Sequence, residues 1–204
     1  MDREMSERMI KVCRGLIKML ELTFQGFRKP AEKSIREAEE VRKEVQDASS
    51  DLTLFLVTQS SSPDKGKEWV KPYLTIISSF DRMGYNIDGI LDRLKKMVQD
   101  RIFFTDRAIK EVNDMFQETT DLLGNLPDLI LTRNRLLAQE MGVKGKKARK
   151  MADGYSDEHE QRLIEGVCVP KASPLYLDIL VSLKGIVVHT LEIGDKIIHL
   201  SAKT

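Results

Sequence analysis

Acidic side chains recur along one segment of this chain at intervals that a helix would bring to a single face. Asp81, Asp88 and Asp92 lie seven and four residues apart within this segment. Carboxylate oxygens bind hard and borderline cations, so such a row is one way to hold iron or zinc. The ordinary alternative is the solvated face that every amphipathic helix carries. Spacing alone leaves both interpretations open, and the same holds for a further row, Glu111, Asp114, Glu118 and Asp121.

A second segment adds imidazole to the candidate ligands. His189, Glu192 and Asp195 follow one another at intervals of three residues, and imidazole raises the affinity of a site for zinc or iron. A carboxylate-bundle enzyme of the ferritin-like type needs paired Glu-x-x-His motifs on facing helices. Here the closest motif has the reversed order, His189 before Glu192. We therefore expect no catalytic residues, and a metal-binding bundle protein or enzyme is the alternative.

The two segments read as copies of one helix. YLTIISSFDRMGYNIDGILDRL (73–94) and YLDILVSLKGIVVHTLEIGDKI (176–197) align without a gap at an offset of 103 residues. An internal repeat of this kind predicts that one structural unit is written twice in the chain. Six aligned pairs are identical: Tyr73/Tyr176, Leu74/Leu177, Ile76/Ile179, Ser79/Ser182, Ile90/Ile193 and Asp92/Asp195.

Apolar residues at spacings of three and four, interrupted by proline and glycine, predict helices along the whole chain. The expected helices cover about 4–27, 31–57, 69 or 72 to 99, 101–123, 128–163 and 175–201. We expect a break in the fifth helix at Gly142 or Gly145. No segment alternates in the way that a strand requires. The prediction is an all-α fold of two tandem three-helix bundles, residues 1–99 and 100–204.

The overall composition restricts the partners and the compartment. The 33 basic and 32 acidic residues leave a net charge of +1, so no global field attracts nucleic acid or an anionic membrane. The two cysteines are too few for a disulfide framework. We find no stretch of roughly 18 apolar residues, the length that a membrane-spanning helix needs. We therefore expect a cytoplasmic protein with reduced thiols that binds no nucleic acid.

The second half contains a run, HEQRLIEGVCVPKASPLYLDILVSLKGIVVH (159–189), that resembles the PhoU-like domains at the cytoplasmic C-terminal end of bacterial sodium/phosphate cotransporters. The first half is similar more loosely, through FDRMGYNI, which resembles the family segment LERIGDHAVNI, and through the repeated three-helix plan. The positions that carry the resemblance are His159, Arg162, Leu163, Gly166, Cys168, Ser173, Tyr176, Leu177, Asp178, Leu180, Leu183, Ile186 and His189.

This resemblance implies two three-helix bundles side by side and a role without catalysis. Proteins similar to PhoU act as adaptors, which couple a phosphate transporter to a sensor kinase or restrain the transporter directly. The resemblance therefore implies a regulator or accessory protein of phosphate transport and phosphate signalling. It would be peripheral to the membrane through its partner, with a homodimer as an open option. A generic helical scaffold is a further alternative.

Many proteins similar to PhoU carry iron or zinc clusters on acidic motifs, in which an acid is followed four residues later by Asp. In this chain Asp81 retains the first acid, whereas Tyr85 stands at the second position. Lys184 and Val188 replace both acids in the second copy, and a lysine adds positive charge beside any cation. The candidate metal ligands are therefore Asp81, Asp88, Asp92, His189, Glu192 and Asp195.

Two further residues of the run have both a chemical and a structural interpretation. His159 could serve as a ligand or an acid/base group, but its position in the run favours a structural contact with the neighbouring helix. Cys168 stands in the apolar sequence VCV, where a packed small thiol is expected rather than a nucleophile.

Overall fold

The computed structural model describes residues 3–29, 32–60 and 67–202. Within these ranges the chain forms helices and no strand, so the predicted all-α fold class is confirmed. The helices are α1 (Arg3–Arg28), α2 (Glu32–Ser60), α3 (Val70–Gln99), α4 (Asp106–Gly124), α5 (Leu126–Thr132), α6 (Arg135–Ile164) and α7 (Ser173–Ala202), with a short 3₁₀ turn, Lys67–Trp69, before α3.

Local sequence determines where the helices of the second half begin and end. Thr105 precedes α4, and its hydroxyl accepts a hydrogen bond from the backbone N–H of Ala108 at 3.3 Å. Asn134 caps α6 in the same way, since its side-chain oxygen accepts from the Leu136 N–H at 2.9 Å. α6 ends in a Schellman turn whose left-handed residue is Gly166, with φ 72°. These caps satisfy backbone groups that helix ends leave unpaired.

One continuous cluster of buried apolar side chains joins all the long helices. Within the predicted first half, α1, α2 and α3 contact one another, and within the second half α4, α6 and α7 do so. The two sets meet mainly along α3 and α7, and also where α1 touches α4 and α5. The core therefore crosses the predicted boundary at residue 99, and the division into two repeats stays a prediction.

The two segments that read as copies pack directly against each other, because α3 and α7 are antiparallel neighbours. Ser79 Oγ of α3 donates to Glu192 Oε2 of α7 at 2.8 Å. Further along α3, Arg93 binds Asp178, which lies nearer to the start of α7, at 2.9 Å. The residue numbers rise on one helix and fall on the other, which defines the antiparallel arrangement. The apolar stripes of both helices are buried in the core.

The predicted break at Gly142 or Gly145 is wrong, because α6 continues through both glycines to Ile164. The chain breaks earlier, at Arg133, which adopts a left-handed conformation (φ 54°) after α5. Gly145 has a packing role within α6, since a Cβ at this position would lie 2.6 Å from the Leu191 side chain of α7. This glycine therefore marks a close contact between helices rather than the end of one.

The expectation that no segment is long and apolar enough to span a membrane is wrong for α7. The helical stretch Ser173–Leu200 is 28 residues long and contains an 18-residue window with a mean hydropathy of 1.4, which meets the requirement by length and composition alone. In this fold α7 contacts α3, α4, α5 and α6, and its packed side chains account for much of that apolar character. A central core helix thus has the composition of a membrane span.

Gly142 and Gly145 form a matched pair for testing the contact between α6 and α7. A Cβ at Gly142 meets nothing within 4 Å, so Gly142→Ala should raise the free energy of unfolding by about 0.5–1 kcal/mol through helix propensity. Gly145→Ala has the same propensity gain but collides with Leu191, and overpacking of this kind costs about 1–3 kcal/mol, which exceeds that gain. In urea denaturation, we expect a higher midpoint for Gly142→Ala and a lower one for Gly145→Ala. Stabilisation by both substitutions would contradict the close contact.

Candidate functional site

The three candidate ligands on α3 each interact with a group of the protein itself. Asp81 accepts a hydrogen bond from Ser49 Oγ of α2 at 2.6 Å. Asp88 lies 3.8 Å from a guanidinium nitrogen of Arg42, and partial burial raises the pKa of the Asp88 carboxyl group. Asp92 is largely exposed and pairs with a lysine one turn further along α3. The three carboxylates therefore have separate partners.

On α7 the structure brings two of the candidates together. His189 Nδ1 lies 3.3 Å from Glu192 Oε2, and the same oxygen accepts the hydrogen bond from Ser79. Burial would raise the pKa of Glu192, but the hydrogen bonds from Ser79 and His189 outweigh burial and lower it. Asp195 lies further along α7 and contacts His199 at 3.2 Å.

The six candidates do not converge on one point. Across residues 3–29, 32–60 and 67–202, no group of three or more His, Cys, Asp or Glu side chains is placed to hold a metal ion together. Tyr85 is exposed, and Lys184 pairs with Asp153 of α6. Tyr85 therefore lies at the surface, whereas Lys184 and Val188 are half-buried.

A polar network is buried between α4, α6 and α7. Its centre is the carboxylate of Glu111 in α4, a residue that is only 4 % exposed. Arg162 of α6 donates two hydrogen bonds to this carboxylate, at 3.0 and 2.8 Å. Tyr176 of α7 donates a third through its hydroxyl, and Arg107, one turn before Glu111, donates a fourth at 2.9 Å. One carboxylate thus connects three helices.

The electrostatics of this network favour the ionised carboxylate. Burial would raise the pKa of Glu111, but the hydrogen bonds from Arg162, Tyr176 and Arg107 outweigh burial and hold this pKa below its ordinary value of 4.5. Burial and the neighbouring carboxylate raise the pKa of the Tyr176 hydroxyl, which therefore stays a hydrogen-bond donor. A two-point contact between a guanidinium and a carboxylate also restricts their relative orientation.

Beside this ion pair, His159 anchors the connection between α6 and α7. Its Nε2 lies 2.7 Å from Ser173 Oγ at the start of α7, and its Nδ1 lies 3.7 Å from Cys168 Sγ. The imidazole packs on the Tyr176 ring, with 4.4 Å between centroids. Burial and the charge of Arg162 lower the pKa of His159 below 6.5, so the ring is neutral at pH 7. The predicted structural contact of His159 with the neighbouring helix is confirmed.

The space beside His159 and Cys168 is too small for a substrate. The cavity there has a volume of about 10 Å³, whereas ligand pockets enclose roughly 300–1,000 Å³. Cys168 is partly buried, and its sulfur contacts an imidazole that is itself engaged with Ser173. The arrangement therefore suits packing rather than nucleophilic attack.

The sequence pattern identifies Arg162 and Tyr176 as positions of the family-like run, but it identifies neither Arg107 nor the centre of the network. The pattern places Glu111 only in an acidic row, with no indication of its partner. The helix face of Glu111 could have indicated its burial, because Ala108, Val112 and Met115 on that face are apolar and buried. A charged residue among them needs a counter-charge. Five residues of the network and its surroundings lie in the 159–189 run: His159, Arg162, Cys168, Ser173 and Tyr176.

Comparison with known proteins adds no family assignment. No family model matches this chain, and no curated protein matches it at a significant level. The similarity to PhoU-like domains therefore rests on the residues of the 159–189 run and on the looser FDRMGYNI segment.

Removing the negative charge of Glu111 should strongly destabilise the fold. Glu111→Gln removes the buried counter-charge of Arg162 and leaves it only Glu158, a half-exposed carboxylate at 3.9 Å, and breaking a buried ion pair in this way costs about 3–5 kcal/mol. We expect a loss of this order in the free energy of unfolding, measured by urea denaturation. Glu118→Gln on the same helix is the control, because its partner Lys147, at 3.3 Å, is exposed and such a pair contributes at most about 1 kcal/mol. Similar losses in both variants would contradict the central role of Glu111.

Protonation of His159 should weaken the fold at mildly acidic pH. Because burial lowers the pKa of His159 below 6.5 in the folded protein, the unfolded chain binds this proton more readily, and stability falls as the pH drops below 6.5. The Glu111 carboxylate, whose pKa is lowered from 4.5, loses its contribution only at more acidic pH. In thermal denaturation, we expect His159→Gln to flatten the decline between pH 6.5 and about pH 5. His199→Gln, at an exposed position, should keep the parent slope, and so would His159→Gln if the inference were wrong.

Proposed function

We propose that this protein is a non-enzymatic regulator or accessory protein of phosphate transport and phosphate signalling. It would act as a helical adaptor that contacts a phosphate transporter or its sensor kinase. The observation that carries the proposal is the buried network around Glu111. Polar residues of the PhoU-like run, Arg162 and Tyr176, meet in this network and hold α4, α6 and α7 together. Because these residues of the run serve one buried contact, we infer that the resemblance to PhoU-like domains reflects a similar fold rather than a similar catalytic chemistry.

The surroundings of the network support a role without catalysis. Its charged groups are engaged with one another, and the nearest cavity, beside His159 and Cys168, measures about 10 Å³. A catalytic constellation needs space for a reacting group within reach of its side chains. The polar residues of the run are therefore better explained by the positions that they give to the helices.

An adaptor needs a surface that is held in place and left uncovered, and the α6–α7 connection has both properties. Ile164, Val167 and Val169 are 80, 65 and 52 % exposed, respectively. Gly166 turns the chain between them, and Val167 N donates to Arg162 O at 2.9 Å. Exposed apolar side chains on a positioned loop are typical of protein interaction sites. We infer that the partner contacts this connection.

The proposal places the protein in the cytoplasm, at the membrane through its partner. Cys13 and Cys168 are free thiols, which suits a reducing compartment. The nearly balanced charge, +1 overall, suits a protein partner better than nucleic acid.

The test compares two substitutions of exposed valines in cells. Val167→Lys places a charge in the α6–α7 connection, whereas Val181→Lys places one on α7, where Val181 is 64 % exposed. We expect Val167→Lys to lose co-purification with the phosphate transporter and to change the uptake of radiolabelled phosphate as gene deletion does. The reason is that burying a lysine in an apolar interface is unfavourable. Val181→Lys should behave as the parent protein.

Two outcomes distinguish failure of the proposed function from failure of the proposed contact surface. If gene deletion leaves phosphate uptake and the response to phosphate starvation unchanged, the proposed function is wrong. If deletion changes uptake but Val167→Lys still binds and regulates as the parent does, the function stands and the α6–α7 connection is not the contact surface.

A further inference from the structure

A cavity of about 420 Å³ opens at one end of the bundle, between the C-terminal ends of α1 and α3 and the start of α4. Its volume lies in the range of small-molecule pockets, roughly 300–1,000 Å³. The wall is mainly apolar, and Phe103, which is 79 % exposed, stands at its edge. The apolar wall includes side chains of Phe27, Leu94, Met97, Ile102 and Ile109.

Positive charge stands beside this apolar wall. Arg28 and Arg101 both line the cavity, and both are exposed. In the part of the chain that the structure describes, neither guanidinium has a carboxylate partner, and Arg28 lies over the Phe24 ring at 5.7 Å. Two guanidinium groups next to an apolar wall match a ligand with a negative head and a hydrocarbon body.

Arg101 occupies a backbone position that glycine would fill more easily. α3 ends in a Schellman turn, in which Ile102 N donates to Met97 O at 2.9 Å and Arg101 is left-handed with φ 50°. The corresponding turn at the end of α6 uses Gly166. Side chains held in strained conformations cluster at binding and active sites. At Arg101 the strained residue brings a guanidinium to the cavity.

One polar group in the cavity wall also lacks a partner. Asn113 Oδ1 is buried and accepts no hydrogen bond from the described residues, although buried acceptors are nearly always paired. Asn113 lines the same cavity as the two arginines. A hydroxyl group or a hydration water of a bound polar head would provide the donor.

We propose that this cavity binds a single-chain amphiphilic anion, such as a fatty-acid carboxylate. The hydrocarbon chain lies against the apolar wall, and the carboxylate binds Arg28 and Arg101. The apolar wall favours this class of ligand over a purely polar anion, and the two guanidinium groups favour it over a neutral or cationic amphiphile. The site goes beyond the adaptor function and does not depend on it.

Decanoate is the probe for this site, titrated calorimetrically into the full chain below its micelle concentration. We expect saturable binding at a single site. Arg101→Gly should weaken this binding roughly tenfold, because it removes a charge-assisted hydrogen bond. Glycine suits the left-handed backbone at this position, so the variant should fold at least as well as the parent.

Arg133→Gly is the matched control for charge and backbone. Arg133 is also left-handed, with φ 54°, but it follows α5, beyond the opposite end of α4 from the cavity. It should bind decanoate as the parent does. Ile109→Trp fills the cavity from a partly exposed position and should abolish binding. Decyltrimethylammonium, which has the same chain length and a cationic head, should bind more weakly than decanoate.

Several results would overturn the proposal. Decanoate could fail to reach saturation, or the cationic amphiphile could bind equally well, which would indicate adsorption to exposed apolar surface. Parent-like affinity in Arg101→Gly would exclude recognition of the carboxylate by that guanidinium, and parent-like affinity in Ile109→Trp would exclude the cavity. None of these measurements involves phosphate uptake, so their failure is distinct from failure of the adaptor function.

Discussion

A single buried carboxylate determines how the helices of the second half can pack. Glu111 is 4 % exposed, and a charge in that environment is tolerated only when it is paired and hydrogen-bonded. Arg162 and Tyr176 provide this pairing from two other helices. Apolar burial drives the helices together but is non-directional, whereas the two-point ionic contact has a defined geometry. The network therefore favours the register in which Glu111 meets Arg162 and Tyr176.

The position of the α6–α7 connection follows from that register. Once Arg162 is paired, His159 on the same helix is brought to Ser173 at the start of α7 and to the ring of Tyr176. The turn at Gly166 then leaves the apolar side chains after it exposed instead of folding them into the core. The polar residues of the 159–189 run thus affect the exposed apolar side chains indirectly, because they hold the α6–α7 connection that carries those side chains.

Both proposed binding features lie at helix ends. The faces of α3 and α7 are buried against each other, and their acidic side chains are bound to groups of the protein, as Ser79 and Glu192 illustrate. At the end of α3, Arg101 stands in a strained turn beside an apolar cavity. At the end of α6, the corresponding turn at Gly166 is followed by the exposed side chains of Val167 and Val169.

Helical periodicity determined the fold class of this protein, because an apolar stripe is a local property that recurs every three or four residues. The resemblance seen in the 159–189 run also included Arg162 and Tyr176. Only the tertiary structure decided which groups meet: Glu111 binds a guanidinium 51 residues away, and the candidate acids of α3 and α7 bind separate partners. The role of Gly145 was also not predictable from the sequence, because the need for a glycine there comes from the side chain of Leu191 on another helix. Spacing along one helix specifies a face, whereas the partner of that face depends on how the helices pack.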